Sequence, residues 1–291
     1  MTNTFSAAKF GMEAASLVHQ VASLDGMLAL GQLLADKDAW SYSMRKLVEL
    51  VTEFSQAAFG DEKDADQIVR DFFDEFMPSH VALNLPPQGS TSVGGLLSVY
   101  FVARKLLPSV IIESGVFVGA SLHALRCAAP NAKISAFDVN LGPLKYRDET
   151  ITYTESDCSE SESFDGAGGL GFFDDHINNA IRVLQARNMG LKYLLFDDSP
   201  RMGEITQYRF PGVPTIPMIM DESLGTYSIG WKHGENLLRY DHDPESCKAA
   251  RSHIDIAIPF PDLRPIGLYV GHKWYVRLKD PAWRDSAKPN Q

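Results

Sequence analysis

The sequence has little cysteine. Its 291 residues include three, Cys127, Cys158 and Cys247, which form neither a CxxC motif nor another spacing typical of metal ligands. A disulfide framework is therefore not expected, and the predicted location is a reducing compartment, the cytoplasm.

Basic charge and long hydrophobic runs are also scarce. Lys and Arg total 27 against 37 Asp and Glu, which gives a formal net charge of −10 at pH 7. Such a chain repels phosphate backbones and anionic headgroups, so neither nucleic acid nor a membrane is expected as a partner. His19, Gln20 and Asp25 interrupt the apolar N-terminal segment, so neither a signal peptide nor a membrane span is predicted there.

A helical pattern occupies residues 1–83. Apolar residues recur at helical spacing from Phe10 to Leu28, from Met44 to Ala58 and from Ile68 to Phe76, which predicts three amphipathic helices. Their apolar stripes are expected to contact the core or a second subunit. A homo-oligomer formed through these helices is therefore one expectation.

Residues 84–291 are predicted to form an α/β domain with an insertion around 201–263. After the loop Asn84–Ser92, short apolar runs alternate with helical stretches, which is the pattern of βαβ units. The predicted strands are Val110–Ser114, Lys133–Phe137, Ile151–Thr154, Leu170–Phe173 and Lys192–Phe196. The predicted helices are Val93–Leu107, Ala120–Ala128 and Ile177–Met189, the last with Ile177, Ile181 and Leu184 facing inward. Near the C-terminus, Gly271-His272 predicts the turn of an antiparallel hairpin.

The segment "VIIESGVFVGAS" (Val110–Ser121) predicts a ligand-binding turn between a strand and a helix. Its strand ends near Glu113, the chain turns through Gly115, and Gly119 leads into the helix. Glycine lets the backbone approach a ligand closely, and a helix N-terminus supplies free N–H donors. Glu113 favours a ligand that carries a positive charge or donor groups. The alternative is a tight turn that binds nothing.

Two aspartates follow the next two predicted strands. Asp138 stands where a carboxylate can accept the hydroxyls of a ribose, and Asp157 stands where an acid can meet an adenine amino group. Each could instead cap a helix or belong to a turn. All three loops are expected at the carboxyl edge of the sheet, where open α/β sheets bind ligands.

Two pairs of adjacent carboxylates end two further predicted strands, in "FFDDH" (Phe172–His176) and "FDDSP" (Phe196–Pro200). The strands are predicted neighbours, so four carboxylates and the His176 imidazole should converge at one edge. A divalent cation such as Mg²⁺ binds carboxylates and would offset their repulsion. The alternative assigns Asp174 and Asp197 to helix caps, Asp198 to a turn, and His176 to solvent.

The long connection after the second acidic pair mixes proline, glycine and aromatic residues, as binding loops and lids often do. Its candidate acceptor contacts are Tyr208, Tyr227, Trp231 and His233. Packing within an insertion is the alternative.

The glycine loop, the two aspartates and the closing C-terminal hairpin together resemble the class I S-adenosylmethionine-dependent methyltransferases, over roughly residues 84–279. The resemblance implies a Rossmann-like seven-stranded sheet with a reversed last strand and helices on both faces. It also implies S-adenosylmethionine as the cofactor, with its amino acid end near Gly115 and its ribose near Asp138. The cofactor-binding residues that follow from it are Glu113, Gly115, Gly119, Ser121, Asp138 and Asp157.

The acidic pairs resemble a metal-dependent branch of that family, typified by catechol and macrolide- or aminocoumarin-sugar O-methyltransferases. Asp197 and Asp198 match the branch's pair of ligands, and the upstream ligand is Asp174 or Asp175. His176, or whichever of Asp174 and Asp175 is not a ligand, would accept the proton. The chain departs from the branch in two ways: it has no clear match to the lysine base, and Ser199-Pro200 is not the usual continuation.

These observations predict an enzyme that transfers a methyl group from S-adenosylmethionine to a hydroxyl of a small metabolite or sugar, with possible assistance from Mg²⁺. A small-molecule acceptor is the expected partner. A cephalosporin hydroxylase-like enzyme on the same fold is one alternative. A non-catalytic, methyltransferase-like binding or assembly protein is the other.

Overall fold

A helical layer precedes the sheet. The computed structural model describes residues 37–86, 91–160, 168–208 and 211–280. The predicted helical stripe from Phe10 to Leu28 therefore lies outside the described residues. The layer consists of α1 (Lys37–Phe59), α2 (Ala65–Asp71) and α3 (Met77–Ala82), with a π-helical turn at Phe72–Phe76 between the last two.

The remaining elements follow the predicted alternation of strands and helices. The strands are β1 (Val110–Ser114), β2 (Lys133–Phe137), β3 (Ile151–Thr154), β4 (Gly169–Phe173), β5 (Leu191–Phe196), β6 (Ser228–His233), β7 (Asn236–Asp241), β8 (Ile254–Pro259) and β9 (Trp274–Leu278). The helices are α4 (Val93–Leu106), α5 (Ala120–Ala128), α6 (Asn179–Asn188), α7 (Ile216–Met220) and α8 (Pro244–Ser252). α6 begins later than predicted because the Asn178 side chain caps it, accepting from the Ile181 N–H at 3.1 Å.

Seven strands form one mixed sheet in the order β3-β2-β1-β4-β5-β9-β8. β1 to β5 are parallel, and β9 pairs antiparallel with both β5 and β8. The predicted Rossmann-like fold class with a reversed strand is confirmed. Because the first five strands are parallel, the loops that follow them meet at one carboxyl edge.

Helices cover both faces of the sheet, as predicted. Side chains alternate between the faces along each strand, so Phe172 joins one buried core and Phe173 the other. The first core also contains apolar residues of α1 to α5, and the second contains those of α6, α7 and α8. The described helices of the N-terminal layer therefore share a core with the α/β elements, while the predicted domain boundary at residue 83 stays a prediction.

The hairpin turn predicted at Gly271-His272 is not formed. The antiparallel neighbour that precedes β9 in the chain is β8, from the end of the region predicted as an insertion. The segment between them includes a short 3₁₀-helix, Arg264–Ile266, and its residues Leu268 and Val270 are buried in the core. The Tyr269 carbonyl accepts a hydrogen bond from the Ser92 hydroxyl at 2.5 Å. The apolar residues before Gly271 therefore belong to an irregular segment that packs against α4 and the core.

The inner stripe predicted for the helix Ile177–Met189, which corresponds to α6, is also wrong. Ile177 and Ile181 are 39% and 43% exposed, whereas Ala180, Val183 and Ala186 are fully buried. The small side chains face the sheet because they allow the helix axis to approach it closely. This rotation buries Arg182, which is 1% exposed.

The remaining insertion forms a β6–β7 hairpin with its own small core of Ile205, Met218, Trp231 and Tyr240. The three cysteines are free. No helix within the described ranges combines the length and the apolar composition needed to cross a membrane.

Candidate active site

A cavity of about 820 Å³ opens at the carboxyl edge of the sheet. Its walls are the loops after β1 to β5, the first turn of α4, and the segment that precedes β9. The cavity is large enough for a cofactor together with a small acceptor. The predicted ligand loops and acidic pairs therefore border the same space.

Gly115 joins the glycine loop to the loop after β4. Its φ is +87°, which disfavours any side chain, and a Cβ there would lie 2.3 Å from the Asp174 carbonyl oxygen. Gly119 also has a positive φ, +89°, and a Cβ would come within 3.0 Å of Leu144 and Tyr146. Glycine is needed at these positions for contact with neighbouring loops, in addition to any approach to a ligand.

Glu113 and Ser121 lie beneath the glycine loop. The Ser121 hydroxyl donates to one Glu113 carboxyl oxygen at 2.5 Å, and the other oxygen is buried with no hydrogen-bond partner among the described residues. Burial raises the pKa of Glu113 to about 8. The fully buried carboxyl supports the loop from below and is not among the residues that line the cavity.

Asp138 ties the glycine loop to the end of β2. One of its oxygens accepts from the backbone N–H groups of Val116 and Phe117, at 2.8 and 3.0 Å. The other accepts from the Asn140 N–H at 2.9 Å. Asp138 also lines the cavity. The carboxylate is thus held in place with one lone-pair site left for a ligand hydroxyl, out of about four.

Arg182 connects two predicted site residues that are distant in sequence. It donates to both oxygens of Asp157, at 2.9 and 2.5 Å, and its Nη2 lies 2.9 Å from Asp175 Oδ2. The hydrogen bonds from Arg182 hold the pKa of Asp157 well below its usual range. Arg182 was missed in the sequence because the helix register predicted from the isoleucines pointed another face inward. Its only sequence signal was a charged residue flanked by apolar ones.

The ligand atoms of Asp174, His176 and Asp198 all lie within 4.8 Å of one another. His176 Nδ1 is 4.0 Å from an Asp198 oxygen. Burial and the neighbouring Asp197 raise the pKa values of Asp174 and Asp198. His176 and Asp198 have positive φ angles of 57° and 44°. Such strain in non-glycine residues occurs where the surrounding structure imposes it, often at functional sites.

The two candidates for the upstream ligand face different partners. Asp174 lies in the cluster with Asp198, whereas the Asp175 carboxylate is directed to Arg182 and accepts from the Ile177 N–H at 3.1 Å. The geometry therefore separates the alternatives that the sequence left open. The catalytic and metal-binding roles of all these residues remain predictions.

Asp197 has a partner that the sequence did not reveal. Lys273 Nζ donates to Asp197 Oδ2, and the Asp198 N–H donates to Oδ1 at 2.8 Å. The Lys273 side chain is only 2% exposed and lines the cavity. Phe196 pairs with Trp274 in the antiparallel ladder. This register brings Asp197, which follows Phe196, next to Lys273, which precedes Trp274. The sequence shows a lysine directly before the last strand, but its pairing with Asp197 can be predicted only when this antiparallel register is known.

The candidate acceptor contacts of the long connection are dispersed. Trp231 belongs to the hairpin core, where its indole N–H donates to the Tyr208 carbonyl at 3.1 Å, and Tyr227 packs against it. His233 ends β6. The Tyr208 ring contacts the His272 ring, with centroids 5.7 Å apart, beside the acidic cluster. None of the four is among the residues that line the cavity, and Tyr208 contacts His272, whose sequence neighbours Gly271 and Lys273 do line it.

Comparison with solved structures returns matches at low identity, several of which are named as methyltransferases. CmcI with SAH shares 19% identity over 38% of this chain and 63% of its own, with a TM-score of 0.34. CmcI with Mg and SAM shares 20% over 38% and 54%, with a TM-score of 0.32. The SAH-bound methyltransferase PaMTH1 from Podospora anserina shares 16% over 84% and 95%, with a TM-score of 0.35.

The match thus spans less than two thirds of both CmcI chains. No protein-family model matches this chain, and no curated protein matches it. At these identities and TM-scores, the likeness does not assign an activity, a substrate or a cofactor to the chain.

Proposed function

We propose that this protein is a cytoplasmic S-adenosylmethionine-dependent O-methyltransferase that acts on a small hydroxylated metabolite or sugar. The observation that carries the proposal is the contact between Gly115 and Asp174. It places the predicted cofactor loop and the acidic cluster side by side in the wall of one cavity. A methyl donor and an acceptor oxygen would have to meet at such a junction.

The cofactor end of the cavity would be formed by Gly115, Asp138 and Asp157. Bound S-adenosylmethionine supplies a methyl group on a positively charged sulfonium. Asp138 keeps a lone pair for a ribose hydroxyl while its other acceptor sites hold the loop. Arg182 fixes the orientation of Asp157 at the edge where an adenine would lie.

The acidic cluster fits a divalent cation. Two carboxylates at close range repel, and carboxylate oxygens are the ligands that Mg²⁺ and Mn²⁺ prefer. Asp174 and Asp198 would hold the ion, which when bound lowers the pKa of an acceptor hydroxyl and orients it. His176, half exposed beside them, would accept the hydroxyl proton on a ring nitrogen.

The proposal is tested by calorimetry with S-adenosylmethionine and by transfer of a labelled methyl group to a panel of hydroxylated metabolites and sugars. We expect the wild type to bind the cofactor, and Asp138→Ala to weaken binding at least tenfold because a ribose acceptor is lost. A wild type that binds no S-adenosylmethionine would refute the proposal. Cofactor binding that is unaffected by Asp138→Ala would contradict the assigned subsite.

A methyl acceptor is identified only by turnover. A protein that binds the cofactor but labels no member of a broad panel would favour the alternative of a binding or assembly role.

A further inference from the structure

The buried ion pair of Lys273 and Asp197 divides the acidic cluster into two parts. Both oxygens of Asp197 have donors, one from Lys273 Nζ and one from the Asp198 backbone N–H. The side chains of the pair are 2% and 9% exposed. Asp174 and Asp198, by contrast, have ligand atoms close together with His176 at the cavity surface.

The lysine is held in position from two sides. Its Cε lies 3.3 Å from the place that a Cβ on Gly95 would take, so its stem packs against the first turn of α4. Its backbone carbonyl accepts from the Phe260 N–H at 2.9 Å, which anchors the residue at the start of β9. The stem and the backbone of Lys273 are therefore both held by packed elements beside Asp197.

The net charge of the acidic cluster and Lys273 together matches that of one divalent cation. Asp174, Asp197 and Asp198 contribute three negative charges when ionised, and Lys273 compensates the charge of Asp197. The two remaining carboxylates match the charge of a single divalent cation. Without the lysine, the same space would hold three uncompensated carboxylates.

We propose that Lys273 holds Asp197 out of the ligand set of the cation, so that Asp174 and Asp198 are the carboxylates that bind it. Lys273 is thus a positioning residue that limits the affinity of the site. The inference deepens the cation-assisted form of the proposed function and rests on it. It also differs from the sequence-based expectation, in which both members of the pair Asp197-Asp198 were ligands.

The two residues are expected to have opposite effects when changed singly and to cancel when changed together. Lys273→Met removes a positive charge and releases an anionic oxygen, so the affinity for Mn²⁺ should rise at least about tenfold. Asp197→Asn leaves an unpaired ammonium beside the site, so the affinity should fall by about tenfold or more. The double variant Asp197→Asn/Lys273→Met keeps the net charge and should bind within about threefold of the wild type.

The test uses the purified full-length protein without added cofactor, titrated with MnCl₂. Free Mn²⁺ is followed by electron paramagnetic resonance, and binding is confirmed by calorimetry. Asp174→Asn provides the reference for the loss of a ligand, and Lys273→Arg, which keeps the charge, should stay close to the wild type. Circular dichroism and thermal melts verify that each variant is folded.

A double variant that loses affinity as severely as Asp174→Asn would overturn the inference, since Asp197 would then be a ligand itself. An unchanged or lower affinity in folded Lys273→Met would overturn it too, as would a wild type that binds no Mn²⁺ at millimolar concentration. Calorimetry with S-adenosylmethionine on the same samples separates these failures from failure of the methyltransferase assignment. Cofactor binding without Mn²⁺ binding would leave metal-independent methyl transfer in place.

Discussion

Gly115 and Asp174 touch where two loops of the sheet edge meet. The glycine has a left-handed backbone, and the Asp174 carbonyl occupies the space in which any other residue would place its Cβ. The loop that is predicted to bind the cofactor is therefore built directly onto the loop that carries the acidic cluster. A substitution that moves one of these loops is therefore expected to move the other.

Gly115→Ala should destabilise the protein and reduce its affinity for S-adenosylmethionine. The alanine combines an unfavourable φ, which costs about 1–3 kcal/mol, with a collision against backbone that cannot move away cheaply. Gly60→Ala is the matched control, because Gly60 has a φ of +81° but open space around its Cβ position. Urea unfolding should show a larger loss for Gly115→Ala. Equal losses for the two variants would contradict a tight contact between the loops.

Arg182→Met should destabilise the fold by about 3 kcal/mol, because breaking a buried ion pair leaves carboxylates without their partner. Arg182→Lys should recover part of the loss but cannot reproduce the two-pronged contact with Asp157. Arg239→Met, which removes an exposed pair with Asp241, should leave the unfolding curve unchanged. If Arg182→Met unfolds at the wild-type midpoint, the contacts of Arg182 with Asp157 and Asp175 contribute nothing to stability.

Glu113 should make stability fall as the pH rises. Its carboxyl has a pKa of about 8 in the folded protein, raised by burial, against about 4.5 when unfolded. The folded state therefore retains a proton that the unfolded state has lost, so stability declines between about pH 5 and pH 8. Glu113→Gln should flatten this decline while keeping the hydrogen bond to Ser121. Chemical denaturation at pH 5 and pH 8 measures it, and an identical slope in both proteins would argue against a neutral Glu113.

His80 and His123 should produce the opposite dependence at acidic pH. Their rings are stacked with Nδ1 atoms 3.2 Å apart, and burial lowers the pKa of each to about 4. The unfolded state gains protons first as the pH falls below about 6.5, so stability is lost from there towards pH 4. His80→Phe should reduce this acid sensitivity in thermal melts. A melting profile with the wild-type pH dependence would exclude the pair as its source.

His176→Asn should separate proton transfer from cation binding. If the imidazole accepts the acceptor's proton, kcat should fall by about 10²–10⁴-fold while Mn²⁺ and cofactor affinities stay near wild type. Steady-state kinetics and Mn²⁺ titration of the same samples give both quantities. A loss of Mn²⁺ affinity comparable to that of Asp174→Asn would instead make His176 a ligand.

Local patterns predicted the parallel half of the sheet closely. Val110–Ser114 and Lys133–Phe137 form strands with the predicted bounds, because each is a short, mostly apolar run between turn residues, too short for a helix. The carboxyl edge, and hence the convergence of the acids, followed from that parallel order. The sequence was therefore sufficient to predict which acidic residues lie at the carboxyl ends of these strands.

The basic residues that pair with Asp157 and Asp197 could not be predicted from local sequence patterns. Arg182 is 25 positions from Asp157 in sequence, and Lys273 is 76 positions from Asp197. Their contacts depend on a helix rotation and on an antiparallel register, both of which are decided by packing across the whole domain. Sequence patterns near Ile177 and Gly271 favoured the wrong rotation and the wrong turn. Charge compensation is thus a tertiary property that a motif by itself does not reveal.

The position of β9 between β5 and β8 determines when Lys273 can reach Asp197. The strand lies between β5 and β8 and follows all of these acids in the sequence, so it leaves the ribosome after them. A nascent chain has the glycine loop and all the acids before it acquires Lys273. Charge compensation of Asp197 is therefore complete only after β9 has paired with β5 and brought Lys273 to the edge of the sheet.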